Sequence, residues 1–205
     1  MRIGFDLDNT IFDYSEAIVS AANQIFSNSI HSNGILGKSR ESIKTNIKSF
    51  FGETEWTRFQ GLLYTKYVNL AKIDPCALYL IQELETFGTH QIEIVSHKTI
   101  YPILGPRIDM RNVATNYFHL TCNALLGKTL EIPIVYFHSL EEKINYINSR
   151  PFDIFVDDLW EVIGNLNIHH KIWFRPDKPL LGDFLVASSW KEVEKHIRKV
   201  LDNGL

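Results

Sequence analysis

The stretch Ile3-Gly4-Phe5-Asp6-Leu7-Asp8-Asn9-Thr10 places two aspartates, two residues apart, directly after a short apolar run. The run has the length and composition of a buried β-strand, so the aspartates are expected where the strand ends. Two neighbouring carboxylates are costly to bury unless they share a proton or a cation. The same residues also fit a turn in which Asp8 or Asn9 caps the next helix. Taken alone, the stretch leaves both interpretations open.

A second acid pair, Asp157-Asp158, follows another apolar run, Ile154-Phe155-Val156. If both runs are parallel strands of one sheet, their carboxyl ends lie at the same edge, and the two acid pairs meet there. Four carboxyl groups at one edge favour a hard cation such as Mg²⁺, which prefers oxygen ligands. The alternative is that each pair merely caps a separate helix.

The rest of the chain supports a parallel sheet. Short apolar runs alternate with segments of helical periodicity, such as Leu140–Asn148 and Trp190–Leu201. Asp74-Pro75 predicts a helix start, with Asp74 as N-cap, and Gly88 predicts its end. This alternation predicts an α/β fold with a doubly wound, Rossmann-like parallel sheet. The predicted strands are Ile3–Leu7, Ile92–Val95, Ile132–Phe137, Ile154–Val156 and Ile172–Phe174.

Residues 14–73 interrupt the alternation, because they contain three helical stripes and no convincing strand. Asn33-Gly34, Gly37 and Gly52 separate the stripes. We expect a small all-helical insertion, with residues 1–13 and 74–205 forming the α/β core. An insertion after the first strand would lie beside the ligand crevice as a lid. The alternative is that these helices pack elsewhere on the core.

Composition narrows the class of protein without indicating its chemistry. The chain has 205 residues, of which 45% are apolar and 22% charged, as in ordinary globular proteins. A net charge of −3 argues against a strongly basic nucleic-acid binder. No apolar run is long enough to span a membrane, and two cysteines make no disulfide framework. We therefore expect a cytoplasmic protein that binds neither nucleic acid nor membrane, and the oligomeric state is not predicted.

Two further positions have chemical potential. Ser96 ends the strand beginning at Ile92, so its hydroxyl and the following amides of His97 and Lys98 could hold an anion. Lys143 lies at the start of the predicted Leu140–Asn148 helix and could supply a compact positive charge. Each feature is common without any function: a serine often caps a helix, and a lysine is usually a surface residue.

The order of these features resembles the four motifs of the haloacid dehalogenase-like (HAD) hydrolase superfamily. The first motif, a strand followed by Asp-x-Asp-x-Thr, matches residues 3–10. The second matches the strand ending at Ser96, the third Lys143, and the fourth Asp157-Asp158 after their strand. The helical insertion is similar to the cap domain that members of this family carry between the first and second motifs.

This resemblance implies a role for each matching residue. Asp6 would be the nucleophile that forms an aspartyl phosphate, and Asp8 the general acid and base. Asp6, the main-chain carbonyl of Asp8, Asp157 and Asp158 would bind Mg²⁺. The phosphoryl oxygens would be bound by Ser96, His97 and Lys143. Lys98 competes with Lys143 for this role, but we expect it to point away from the pocket of Ser96.

The implied function is a Mg²⁺-dependent phosphatase that hydrolyses a small phosphorylated metabolite. Dehalogenases of the family lack the second aspartate of the first motif, so the presence of Asp8 favours phosphate esters over carbon–halogen bonds. One alternative is a phosphomutase or phosphotransferase that uses the same intermediate. Another is a non-catalytic phosphate- or nucleotide-binding module. A receiver domain fits less well, because its acceptor aspartate follows a later strand and it has no place for the helical insertion.

Overall fold

The computed structural model describes residues 1–26, 40–175 and 182–203. Within these residues, strands and helices alternate along most of the chain. In chain order the elements are β1 (Arg2–Phe5), β2 (Phe12–Asp13), α1 (Ser15–Phe26), α2 (Arg40–Phe51), α3 (Glu53–Leu63), β3 (Lys72–Ile73), α4 (Pro75–Thr86), β4 (Gln91–His97), α5 (Met110–Leu126), β5 (Ile134–Phe137), α6 (Leu140–Asn148), β6 (Ile154–Asp157), α7 (Trp160–Ile163), β7 (His170–Phe174), β8 (Leu185–Ala187) and α8 (Trp190–Asn203).

Six strands form one sheet in the order β5-β4-β1-β6-β7-β8, and every neighbouring pair is parallel. The predicted doubly wound α/β sheet is therefore confirmed. After β1 the chain adds strands on one side and then returns to the other side with β6. The order therefore reverses between β1 and β6, and ligands of such sheets bind outside the carboxyl ends of the strands at that point.

The strands are apolar because both faces of the sheet are covered. Ile3 and Phe5 of β1 are fully buried, as are Phe155 and Val156 of β6. The ring of Trp190, in α8, lies 5.8 Å from the ring of Phe5, measured between centroids. The interior of the sheet thus fixes the positions of the two strand ends that carry the acid pairs.

Local signals in the sequence predicted several helices correctly. The side chain of Asp74 accepts a hydrogen bond from the amide of Cys76 at 2.9 Å, so it is the N-cap of α4. Gly88, with φ of 64°, follows the end of this helix. Helix α6 has the bounds expected from its periodicity and begins with a capping box made by Ser139 and Glu142.

The described residues divide into two compact units. One contains Met1–Ile11, Ile73–Lys98 and Thr121–Leu205, and the other contains Phe12–Lys72 and Thr99–Leu120. The second unit includes α1, α2 and α3, and it also includes residues 99–120, which the sequence-based division assigned to the core. The core-and-cap organisation with boundaries at residues 13 and 74 stays a prediction.

The helical insertion differs in detail from its predicted pattern. The third helical stripe of the sequence runs from Trp56 to Leu70 and predicts one continuous helix, but α3 ends at Leu63. The amides of Thr65 and Tyr67 both donate to the carbonyl of Leu62, which tightens the helix end, and a single 3-10 turn, Val68–Leu70, follows. Asn33-Gly34 and Gly37 lie outside the described residues. Among the helices that are described, none is both long enough and apolar enough to cross a membrane.

Gly4 is a position where the sheet leaves no space for a side chain. A Cβ atom there would lie 2.4 Å from the Phe155 ring and 2.8 Å from the Phe152 ring. We expect Gly4→Ala to lower the free energy of unfolding by about 1–3 kcal/mol, because these packed rings must shift. Urea denaturation measures the change. Gln91→Ala, an exposed site on β4, is the control and should change it by less than about 0.5 kcal/mol; equal effects would contradict the tight packing.

Candidate active site

The sheet brings the two acid pairs together. In the pairing of the strands, Phe5 lies beside Val156, and the amide of Asp6 donates to the carbonyl of Val156 at 2.9 Å. Asp6 and Asp157 therefore follow adjacent positions at the carboxyl ends of β1 and β6. This is the point where the strand order reverses. The strand pairing thus places Asp6 and Asp157 at one edge of the sheet, as the sequence predicts for these two residues.

Lys143 connects the two strands. Its Nζ atom donates to Oδ1 of Asp6 at 2.6 Å and to Oδ2 of Asp157 at 2.7 Å. The side chain of Lys143 is fully buried, although lysine is rarely so. A buried ammonium group is stable only when it is paired, and the two carboxylates provide that pairing. The lysine is therefore a member of the site and not a surface residue.

The charges of this group perturb one another. Burial raises the pKa of Asp6 to about 7, with Asp157 adding to the rise and Lys143 opposing it. Burial by itself would lower the pKa of Lys143, but Asp157 and Asp6 outweigh it and hold that pKa above its ordinary value. The lysine therefore stays charged. The negative charge of several carboxylates against one ammonium group leaves the site suited to a further cation.

Three acidic side chains could hold that cation. One carboxylate oxygen from each of Asp6, Asp157 and Asp158 lies within 4.8 Å of the others. The loop that carries Asp157 and Asp158 is fixed, because the amide of Leu159 donates to Oδ1 of Asp157 at 2.9 Å and Nε1 of Trp173 donates to the carbonyl of Asp158 at 3.0 Å. A donor set made only of oxygen atoms fits Mg²⁺.

Asp8 is not one of these three carboxylates, and it pairs with a different lysine. Its Oδ2 atom is 2.6 Å from Nζ of Lys98, and both side chains are largely buried. The expectation that Lys98 points away from the pocket of Ser96 is wrong. The Lys98 amide still donates to the carbonyl of Phe137, so the strand pairing continues to this residue. Side chains two positions apart on an extended strand point to the same face, so the side chain of Lys98 lies on the same face as that of Ser96.

Ser96, one of the predicted phosphate-binding residues, has a hydroxyl group that is available to a ligand. It is 1% exposed, and among the described residues its Oγ atom has no hydrogen-bond partner. The neighbouring His97 is exposed, and its Nε2 atom lies 3.2 Å from the carbonyl of His138. The structure thus directs this ring to His138 and does not bring it into the carboxylate group. The Lys98 amide, already bonded to Phe137, is not available to an anion.

The loop that follows β1 and carries Asp8 turns sharply at Asn9. Asn9 has a φ of 64°, a left-handed conformation that asparagine tolerates better than most residues. Nε1 of Trp190 donates to the carbonyl of Thr10 at 3.3 Å, which fixes the loop after the turn. The main-chain carbonyl of Asp8, to which the sequence assigned a place on the metal, belongs to this loop, and that assignment stays a prediction.

Comparisons with known proteins identify the fold. The sequence matches no protein-family model and no curated protein. Solved structures match nearly the whole chain. YfnB, an HAD-hydrolase from Bacillus subtilis in a magnesium-bound crystal structure, matches with a TM-score of 0.59 and 16% identity over 96% of this chain and 97% of its own. A haloacid dehalogenase-like hydrolase from Streptococcus pneumoniae gives the same TM-score, identity and coverage.

A third structure, a predicted phosphatase from Clostridium acetobutylicum, matches with a TM-score of 0.56 and 18% identity over 97% of this chain and 98% of its own. At such identities a likeness establishes the fold. The chain has the fold of the HAD-like hydrolases, and the resemblance based on its four motifs is confirmed at that level.

Proposed function

We propose that this protein is a Mg²⁺-dependent phosphomonoester hydrolase that acts on a small phosphorylated metabolite. The observation that carries the proposal is the contact of Lys143 with both Asp6 and Asp157, beside Asp158. It unites three of the four motif positions in one buried group. The names of the matching structures, hydrolases and a predicted phosphatase, support the same activity. The small size of the substrate rests on the predicted helical cap.

In this proposal Asp6 is the nucleophile. Its carboxylate attacks phosphorus, the bond from phosphorus to the leaving oxygen breaks, and an aspartyl phosphate forms. Asp8 protonates the leaving oxygen and then takes a proton from the water that attacks the aspartyl phosphate. The open hydroxyl of Ser96 and the charge of Lys143 bind phosphoryl oxygens. We assign no phosphate contact to His97 in this proposal, because its ring lies against the carbonyl of His138.

Asp6, Asp157 and Asp158 would hold Mg²⁺, together with the main-chain carbonyl of Asp8. Bound there, the ion would offset the repulsion between the anionic nucleophile and an anionic substrate. Lys143 keeps Asp6 and Asp157 in place beside that position, because its two hydrogen bonds join the ends of β1 and β6.

A panel of phosphate monoesters, assayed with Mg²⁺ and with a chelator, tests the proposal. We expect release of inorganic phosphate from at least one sugar phosphate, nucleotide or related small ester, and loss of this release with the chelator. Recovery of the phosphoryl group on a second acceptor instead of water would favour a phosphotransferase. Failure on every ester in the presence of Mg²⁺ would favour a binding module.

Metal binding should also be visible without turnover. Burial raises the pKa of Asp6 from its ordinary value of 3.8 to about 7, so between these two pH values the metal-free folded protein retains a proton that the unfolded chain has lost. Its stability therefore falls as the pH rises through this range. Mg²⁺ needs the carboxylate ionised, so we expect a larger stabilisation at about pH 8 than at about pH 5.5.

Thermal unfolding measures this effect. At a Mg²⁺ concentration about 100-fold above its dissociation constant, the midpoint should rise by about 5–10 °C at the higher pH. Asp158→Asn should reduce the rise, whereas Asp202→Asn, an exposed position in α8, should leave it unchanged. A rise that is equal at both pH values would contradict the site, as would one that Asp158→Asn does not reduce.

A further inference from the structure

Lys98 is a buried cation that the motifs of the chain do not explain. Its side chain is 4% exposed, and its Nζ atom lies 2.6 Å from Oδ2 of Asp8. Burying an ammonium group costs free energy unless a carboxylate pairs with it closely. The burial of Lys98 therefore indicates a functional role in the site, and its contact with Asp8 indicates that the role involves this carboxylate.

The backbone of Lys98 is held as firmly as its side chain. Its amide donates to the carbonyl of Phe137 at 2.9 Å, directly after the residue pair His97 and Phe137 in the ladder between β4 and β5. The sheet thus sets the position from which the lysine reaches Asp8. Asp8 itself lies on the loop after β1, which ends at Phe5.

The two oxygen atoms of Asp8 have different surroundings. Oδ2 pairs with Lys98, whereas Oδ1 is buried and, among the described residues, has no hydrogen-bond partner. A buried acceptor without a partner is costly, so its retention points to a partner that arrives with a ligand. The geometry leaves Oδ1 as the oxygen that can exchange a proton.

We propose that Lys98 is a positioning residue: it holds Asp8 by Oδ2 so that Oδ1 exchanges protons with the leaving oxygen and with water. This inference rests on the proposed phosphatase function. In the first step Oδ1 gives its proton to the leaving oxygen as the bond from that oxygen to phosphorus breaks. In the second step Oδ1 recovers a proton from the attacking water, and the carboxylate of Asp6 is released from phosphorus.

The two lysines then have separate tasks. Lys143 holds Asp6 and Asp157, and Lys98 holds Asp8. Both lysines therefore belong to the site, and each pairs with different aspartates. A role of Lys98 in binding the phosphoryl group directly predicts something different, because such a contact would be shared by every phosphate ester whatever its alcohol.

A series of phosphate monoesters with alcohols of different acidity separates these roles. Poor leaving groups, such as simple alkyl alcohols, need protonation, whereas a dinitrophenol does not. We expect Lys98→Met to lower kcat/KM for an alkyl phosphate by about 100-fold and for dinitrophenyl phosphate by less than about fivefold. The ratio kcat/KM is compared because it reports the step that forms the aspartyl phosphate.

Lys98→Arg keeps the positive charge and should restore at least about a tenth of the wild-type kcat/KM for the alkyl ester. Lys128→Met is the control, since Lys128 is half-exposed and pairs with Glu85, which belongs to none of the motifs; it should match the wild type on both esters. Affinity for inorganic phosphate, measured by calorimetry in the presence of Mg²⁺, should be the same in Lys98→Met and the wild type within about threefold.

An equal loss on both esters, together with weaker phosphate binding, would overturn the positioning role and make Lys98 a phosphate ligand. No loss on either ester would also overturn it. Should Lys98→Met fail to fold, the two esters are compared with Lys98→Arg and Lys98→Gln instead. Both of these variants keep a hydrogen-bond donor for Asp8, so the same two outcomes distinguish positioning from phosphate binding. A wild-type protein that hydrolyses none of the esters would refute the proposed function itself, which is a separate result.

Discussion

Asp6→Asn is expected to abolish phosphate release, with kcat/KM lower by at least about 10⁴-fold. An amide cannot form the covalent bond to phosphorus, so the aspartyl phosphate is lost together with its hydrolysis. The fold should persist, because Lys143 keeps its bond to Asp157 and one buried carboxylate is removed. Steady-state assays on the best ester of the panel, with circular dichroism as the check of folding, measure both effects.

Asp202→Asn is the matched control for this variant. It makes the same chemical change at an exposed position of α8, and we expect wild-type activity. Folded Asp6→Asn protein that retains a tenth or more of the wild-type activity would show that Asp6 is not the nucleophile.

Lys143→Met should have the largest effect on stability. The substitution removes the ammonium group and leaves the carboxylates of Asp6 and Asp157 buried without it. Breaking a buried ion pair from one side typically costs about 3–5 kcal/mol. We expect a loss of this size in the free energy of unfolding of the metal-free protein at about pH 8, measured by urea denaturation.

The pH dependence of this variant follows from the same charges. Burial raises the pKa of Asp6 and Lys143 opposes the rise, so without Lys143 this pKa lies further above its value in the unfolded protein, and the folded state binds more protons between the two values. The stability of Lys143→Met should therefore recover as the pH is lowered to about 5. Lys128→Met, a half-exposed lysine, should stay within about 0.5 kcal/mol of the wild type. A Lys143→Met protein as stable as this control would contradict the buried pairing.

Much of the fold was predictable because the strands of a covered parallel sheet are short, apolar and bounded by polar residues. Strand β8 is not apparent from the sequence, since it has only three residues, Leu185–Ala187, at an edge of the sheet. Helix α5 is not apparent either. Its buried side chains, Met110, Ala114, Phe118 and Cys122, recur every four residues, but exposed apolar residues such as Leu120 and Leu125 obscure the pattern.

The candidate site was predictable where strand ends carry acids, because parallel strands place their carboxyl ends at one edge. The contact of Lys143 with Asp6 and Asp157 could be expected only from the resemblance, since a lysine in a first helical turn is usually exposed. The position of Lys98 could not be read, because it depends on whether the pairing of β4 with β5 continues past His97. The extent of this pairing depends on both strands together and cannot be deduced from the sequence of either strand alone.

The central claim, that Asp6 carries the phosphoryl group, is tested most directly by trapping the phosphorylated protein. Asp8→Asn lacks the base for the second step, so reaction with an activated aryl phosphate and Mg²⁺, followed by acid quench, should leave the mass of one phosphoryl group on the peptide containing Asp6. The double variant Asp6→Asn, Asp8→Asn should remain unmodified. Phosphate release by the wild type with the phosphoryl group trapped on another residue, or on none, would contradict the claim.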